Sequence, residues 1–109
     1  MTVAEDGDRN RLDGGWDALR AGRWQAARAY FSDALKSNAI PEAFEGLSWA
    51  AWWLDDAEAL FEAREQAFRR YRERGDAASA AHMATWLASD HLDFHGALAV
   101  ASGWLDRGR

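Results

Sequence analysis

Only three aliphatic β-branched residues occur in the 109-residue chain: Val3, Ile40 and Val100. Strands draw heavily on such side chains, so a chain this short of them cannot furnish a sheet. Helix formers are abundant instead (Ala, Leu, Glu, Arg), and Pro41 is the one proline. The predicted fold class is therefore all-α, and the length suits one domain with a single core.

Turn residues divide the chain into short helices. A first helix from about Arg11 to Ala21 stops at Gly22, a favoured residue just past a helix end. The second, "WQAARAYFSDALK", ends at "SNAIP", and Pro41 suits the first turn of the third. Asp55 or Asp56 can cap a fourth helix, Gly75 closes it, and Asp76 can cap a fifth. A break is expected at "DF", followed by a sixth helix from about His95. Connections this short make successive helices antiparallel neighbours. The expectation is three helical hairpins, about 11–37, 41–74 and 76–109, behind a disordered stretch 1–9.

Three hairpins in a row raise the question of internal repetition. "GRWQAARAYFSDAL" carries Gly22, Trp24, Ala27, Phe31, Ala34 and Leu35. Gly, aromatic, Ala, aromatic, Ala, Leu at these offsets resembles the second half of a tetratricopeptide repeat, and Gly15 matches the small residue of the family's first helix. Sliding the pattern along by one unit, so that Gly22 falls on Asp55, brings Phe44, Leu47, Ala57, Leu60, Ala67 and Phe68 to the equivalent positions. Asp55 then stands where the turn glycine would be, and Arg64 where the inner aromatic would be. A further slide, so that Ala67 falls on Trp104, brings in Ala81, Ala84, Phe94, Ala97, Ala101, Trp104 and Leu105, a degenerate unit with tryptophan in an alanine slot. The resemblance implies a short right-handed superhelix. The run from "AWWLDDAEALFEAREQAFRRYRERGD" to "AAHMATWLASDHLDF" also resembles the helical-repeat region of large LuxR-type transcriptional regulators. That likeness implies a sensory or scaffolding segment of a transcription regulator, and the absence of cysteine fits a cytoplasmic location.

Under the same alignment Trp16, Trp49 and Trp86 coincide, each on the first helix of its hairpin. At 100° per residue, Trp52 and Trp53 widen the face of Trp49, while Ala43, Leu47, Ala51 and Leu54 lie opposite. Trp86 shares its face with His82, Met83, Ser89 and Asp90. In tetratricopeptide proteins that position faces the concave groove that binds peptides. The resemblance therefore implies a site of Trp16, Trp49, Trp52, Trp53, His82, Trp86 and Asp90. Family members that grip a terminal carboxylate use Lys, Arg and Asn, a set this chain lacks there, so an apolar protein or peptide partner fits better. Two other readings stand beside it. The tryptophans can be core, with indole N–H groups bonded to carboxylates such as Asp56 or Asp90. They can also line an aromatic pocket for a small molecule. Trp24 and Trp104, on second helices, are expected to be packing residues.

The remaining chemistry is sparse. A net charge of −5 argues against a nucleic-acid-binding module, so no direct nucleic-acid binding is expected. The arginines of "RRYRER", residues 69–74, suit a helix C-terminus, whose partial charge is negative. There is no cysteine, no apolar run long enough to cross a membrane and no signal-peptide pattern. His91 and His95 have a metal-ligand spacing, but Leu92 stands where a zinc protease needs Glu. No serine sits in a G-x-S-x-G context and Gly14–Gly15 follows no strand. No enzyme activity, metal or cofactor is expected. The apolar edge left by a short array is expected to be covered by a partner, by a second copy or by a further domain, and a homodimer is the favoured form.

Overall fold

The computed structural model describes residues 3–95 and 107. Among them are five helices: α1 (Val3–Arg20), α2 (Trp24–Ser37), α3 (Pro41–Trp53), α4 (Ala57–Glu73) and α5 (Ala77–His95). Each packs on its predecessor, and α1 also touches α3. The all-helical class agrees with the sequence, but six helices in three hairpins are not matched among the described residues.

Two boundaries differ. Helix α1 begins at Val3, not near Arg11. Helix α5 runs through Asp93 and Phe94 to His95 without the expected break. "SDHLDFH" holds neither Gly nor Pro, and each of its two aspartates costs an α-helix only a few tenths of a kcal/mol, about 0.7 at most. The expected sixth helix, with Trp104, lies outside the described residues but for Arg107.

Three helix ends share one closure. Gly22, Asp55 and Gly75 have φ of 77°, 59° and 84°. At the first, Arg23 N–H donates to Ala18 C=O at 2.8 Å and Gly22 N–H to Leu19 C=O at 3.1 Å. Asp56 to Ala51 (2.9 Å) with Asp55 to Trp52 (3.2 Å), and Asp76 to Tyr71 (2.9 Å) with Gly75 to Arg72 (3.1 Å), repeat the pair. This is the Schellman closure, which needs one left-handed residue. Asp55 therefore performs, in the second hairpin, the turn role that Gly22 has in the first. Asp56 and Asp76 then cap the following helices, accepting from Ala59 N–H (3.2 Å) and Ser79 N–H (3.1 Å).

Among the described residues, eleven of the seventeen buried apolar side chains are alanine, which lets helix backbones approach closely and leaves aromatics to fill what remains. One cluster joins Ala18, Ala27, Phe31 and Ala50 across α1, α2 and α3. The other joins Ala67, Phe68, Tyr71, Ala80, Met83, Ala84, Leu87 and Ala88 across α4 and α5. Phe31 is wholly buried, its ring held against Gly15 and Gly46. A Cβ on Gly15 would lie 2.6 Å from that ring, and one on Gly46 closer still. Gly46→Ala is expected to destabilise the fold by about 1–3 kcal/mol, the usual cost of overpacking. The loss should show as a lowered thermal midpoint, and Phe31→Leu in the same chain should recover part of it.

Candidate functional site

The tryptophans predicted to form a face do meet, though as a chain of contacts and not as a flat stripe. On α1, Trp16 lies edge-on to Phe31 at 5.2 Å between ring centroids. On α3, Trp49 contacts Trp52 at 6.5 Å and, across to α5, Trp86 at 4.8 Å. Trp52 stands edge-on to Trp53 at 4.9 Å. Trp53 is 52% exposed, the most open of the described tryptophans, and stacks flat on Trp24 at 4.6 Å and 5°. Trp16, Trp49 and Trp53, with Leu19 and Arg20, line a groove of about 270 Å³. His82 lies across from Glu45 in a second hollow, with Ala78 and Ser79, of about 260 Å³.

Trp24, expected to pack, does so against Trp53 of this cluster. It follows Gly22 by two positions and Trp53 precedes Asp55 by two, so the two left-handed turns bring these rings to the same end of the array. The equivalence of the turns was visible in the sequence, but the lateral pairing of their flanks was not.

Asp90 departs from expectation. It is not on an accessible face but 1% exposed, with Oδ2 3.1 Å from Nη1 of Arg64, which is itself 0% exposed. Its face of α5 is turned to α4, where Arg64 supplies the opposite charge. Asp56 is held by Arg28 at 3.0 Å and by its capping bond, while Trp86 Nε1–H donates to exposed His82 Nε2 at 3.0 Å.

Arg64 is the residue whose role the sequence reading missed, although its signal was present: an arginine in an aromatic's slot. Trp16 meets Phe31 in the first hairpin; at the equivalent place in the second, Trp49 meets Arg64, with the guanidinium carbon 4.5 Å from the ring centroid. The same group lies 5.3 Å from the Trp86 centroid. Two indole faces, rich in π density, thus flank a buried cation. Burial pushes the guanidinium pKa down, and Asp90 and then Glu45 oppose that shift. Among the described residues its Nε, Nη1 and Nη2 make no hydrogen bond, the contact to Asp90 being an ion pair without hydrogen-bond alignment.

The other basic residues are held differently. Arg74 pairs with Glu42 and packs against Tyr71, and the Tyr71 hydroxyl donates to Glu45 at 2.7 Å. Burial, then that bond, holds the Tyr71 hydroxyl well above the ordinary phenol range. Arg70 faces Glu73 at 3.9 Å. Much of "RRYRER" is thus tied to carboxylates of its own chain. His91 stacks on Phe61 at 4.4 Å. Among the described residues no three metal-ligating side chains gather, and no helix is long and apolar enough to cross a membrane.

Compared with family models, curated proteins and solved structures, the chain matches none.

The pair makes a sharp energetic prediction. Arg64→Met alone leaves a buried carboxylate without its counter-ion and is expected to cost about 3–5 kcal/mol, whereas Arg64→Met with Asp90→Leu should recover most of that loss. Urea unfolding of both variants checks the order, and a double variant no more stable than the single one would contradict it.

Proposed function

We propose that the chain is a non-enzymatic interaction domain of tetratricopeptide type that grips an apolar protein or peptide segment along its tryptophan groove. The observation that carries this is the groove lined by Trp16, Leu19, Arg20, Trp49 and Trp53, with half of Trp53 open to solvent. Tryptophan is the residue most enriched where binding energy concentrates, and a large ring left half-exposed on a rigid helix suits that use. Support for the repeat reading comes from two features that recur from the first hairpin to the second. Gly22 and Asp55 close helices with the same bonds, and Trp16 on Phe31 corresponds to Trp49 on Arg64. The likeness to the repeat region of LuxR-type regulators makes transcription regulation in the cytoplasm the proposed setting, with the chain acting through a protein and not by binding nucleic acid. A second copy of the chain is one candidate for the segment that covers Trp53.

Selection of displayed peptides against the purified chain tests this. Convergence on sequences with apolar residues at helical spacing is expected, with affinity falling at least about tenfold, or 1.4 kcal/mol, in Trp49→Ala or Trp53→Ala. No convergent sequence, together with a monomer by light scattering at high concentration, would remove both forms of the proposal.

A further inference from the structure

The tryptophan groove carries one charge. Trp16, Leu19, Trp49 and Trp53 line it with apolar surface, and Arg20 is the one ionised side chain among its described lining residues. No carboxylate is among them. The partner of Arg20, Asp17, sits one turn back on α1 and lines a different hollow, between α1 and α2, with Arg23 and Tyr30. Both members of the pair are 71% exposed, and a surface pair of this kind holds its members weakly. When Arg20 turns to a bound carboxylate, Asp17 stays in water with Arg23 lining the same hollow. The groove thus has a cation to offer at little cost to the chain.

We infer that the segment gripped by the groove is acidic as well as apolar: an amphipathic helix whose anchoring side chains enter between the tryptophans and whose flanking carboxylate is taken by Arg20. This rests on the groove being a peptide site, as proposed above, and names the charge of the partner. The groove, at about 270 Å³, is smaller than the cavities that enclose drug-sized ligands, which suits the anchors of a longer segment. A docked apolar segment strips water from around Arg20, which strengthens its attraction to a carboxylate and its repulsion of a cation. A cation gains little from the rings in return. Trp49 already has the Arg64 guanidinium over it, so its π density is engaged. At long range the net charge of −5 works the other way and draws basic partners. The acidic preference is therefore a contact effect of Arg20, and one substitution separates it from the field of the whole chain.

The probes are amphipathic peptides of about sixteen residues with leucine anchors at helical spacing, alike except at the flanking positions, which are all Glu, all Gln or all Lys. Fluorescence anisotropy with the full chain, in about 0.15 M salt to screen the long-range field, reads their affinities. The Glu peptide is expected to bind at least about tenfold more tightly than the Lys peptide, with the Gln peptide between them. Arg20→Gln should remove the preference and Arg20→Glu should invert it. Arg20 is exposed and belongs to neither buried cluster, so both variants are expected to fold. Trp53→Ala should weaken all three peptides together, which separates the groove from the arginines between positions 69 and 74. Equal affinities for the Glu and Lys peptides, the reverse order, or a preference that survives Arg20→Glu would overturn the inference and leave the groove standing as a peptide site. Failure of all three peptides to bind at about 1 mM, or a dimer of the chain that shuts them out, would overturn both.

Discussion

The burial of one guanidinium joins the second half of this molecule. Arg64 projects from α4 between Trp49 of α3 and Trp86 of α5, and its charge is answered by Asp90, also on α5. Three helices therefore converge on a single side chain. A cation out of water is tolerable only with such company: an opposite charge in contact and π faces against the planar group. Remove the carboxylate and the buried guanidinium loses the opposite charge in contact with it. Trp49 thus does two jobs, since the ring that covers Arg64 also borders the groove.

The rest of the fold is built from small residues. Alanine-lined contacts bring α1, α2 and α3 close enough that Phe31 is pressed against two glycines. The first hairpin solves its packing with an aromatic ring in a glycine socket. The second solves the same position with an ion pair under two indoles. This asymmetry, between backbones otherwise closed by the same turns, is what singles out the middle of the molecule as the place to look for chemistry.

Much of the framework was legible in the sequence because it rests on local rules. Scarce β-branched residues excluded strands, Pro41 marked a helix start, and Gly22, Gly75 and the aspartates at 56 and 76 marked caps. Asp55 was identified as the stand-in for a turn glycine, and its left-handed φ follows from that role. The ends were less legible. Residues before Arg11 carry few apolar side chains, and an apolar period is the main signal for a helix, so the start of α1 at Val3 had no such signal. The site was legible in part. The spacing of Trp16, Trp49 and Trp86 marked one helix layer, but Asp90 shares a helix face with Trp86 and was read as accessible with it. Only knowledge that this face meets α4, at the height of Arg64, turns it inward. Two residues on different helices carry no pairing signal in a single sequence, and the same holds for the Trp24–Trp53 stack.

The central claim, that Arg64 is a charged group sealed between two indole rings, can be read directly from the Nε–H signals of the arginines in a ¹H–¹⁵N spectrum of the folded chain. One Nε–H, assigned to Arg64, is predicted to exchange slowly with water and to lie upfield through the ring currents of Trp49 and Trp86. It should return to the ordinary arginine position when Trp49 is replaced by leucine. An Arg64 signal that exchanges as fast as those of the exposed arginines, with no displacement, would contradict the account.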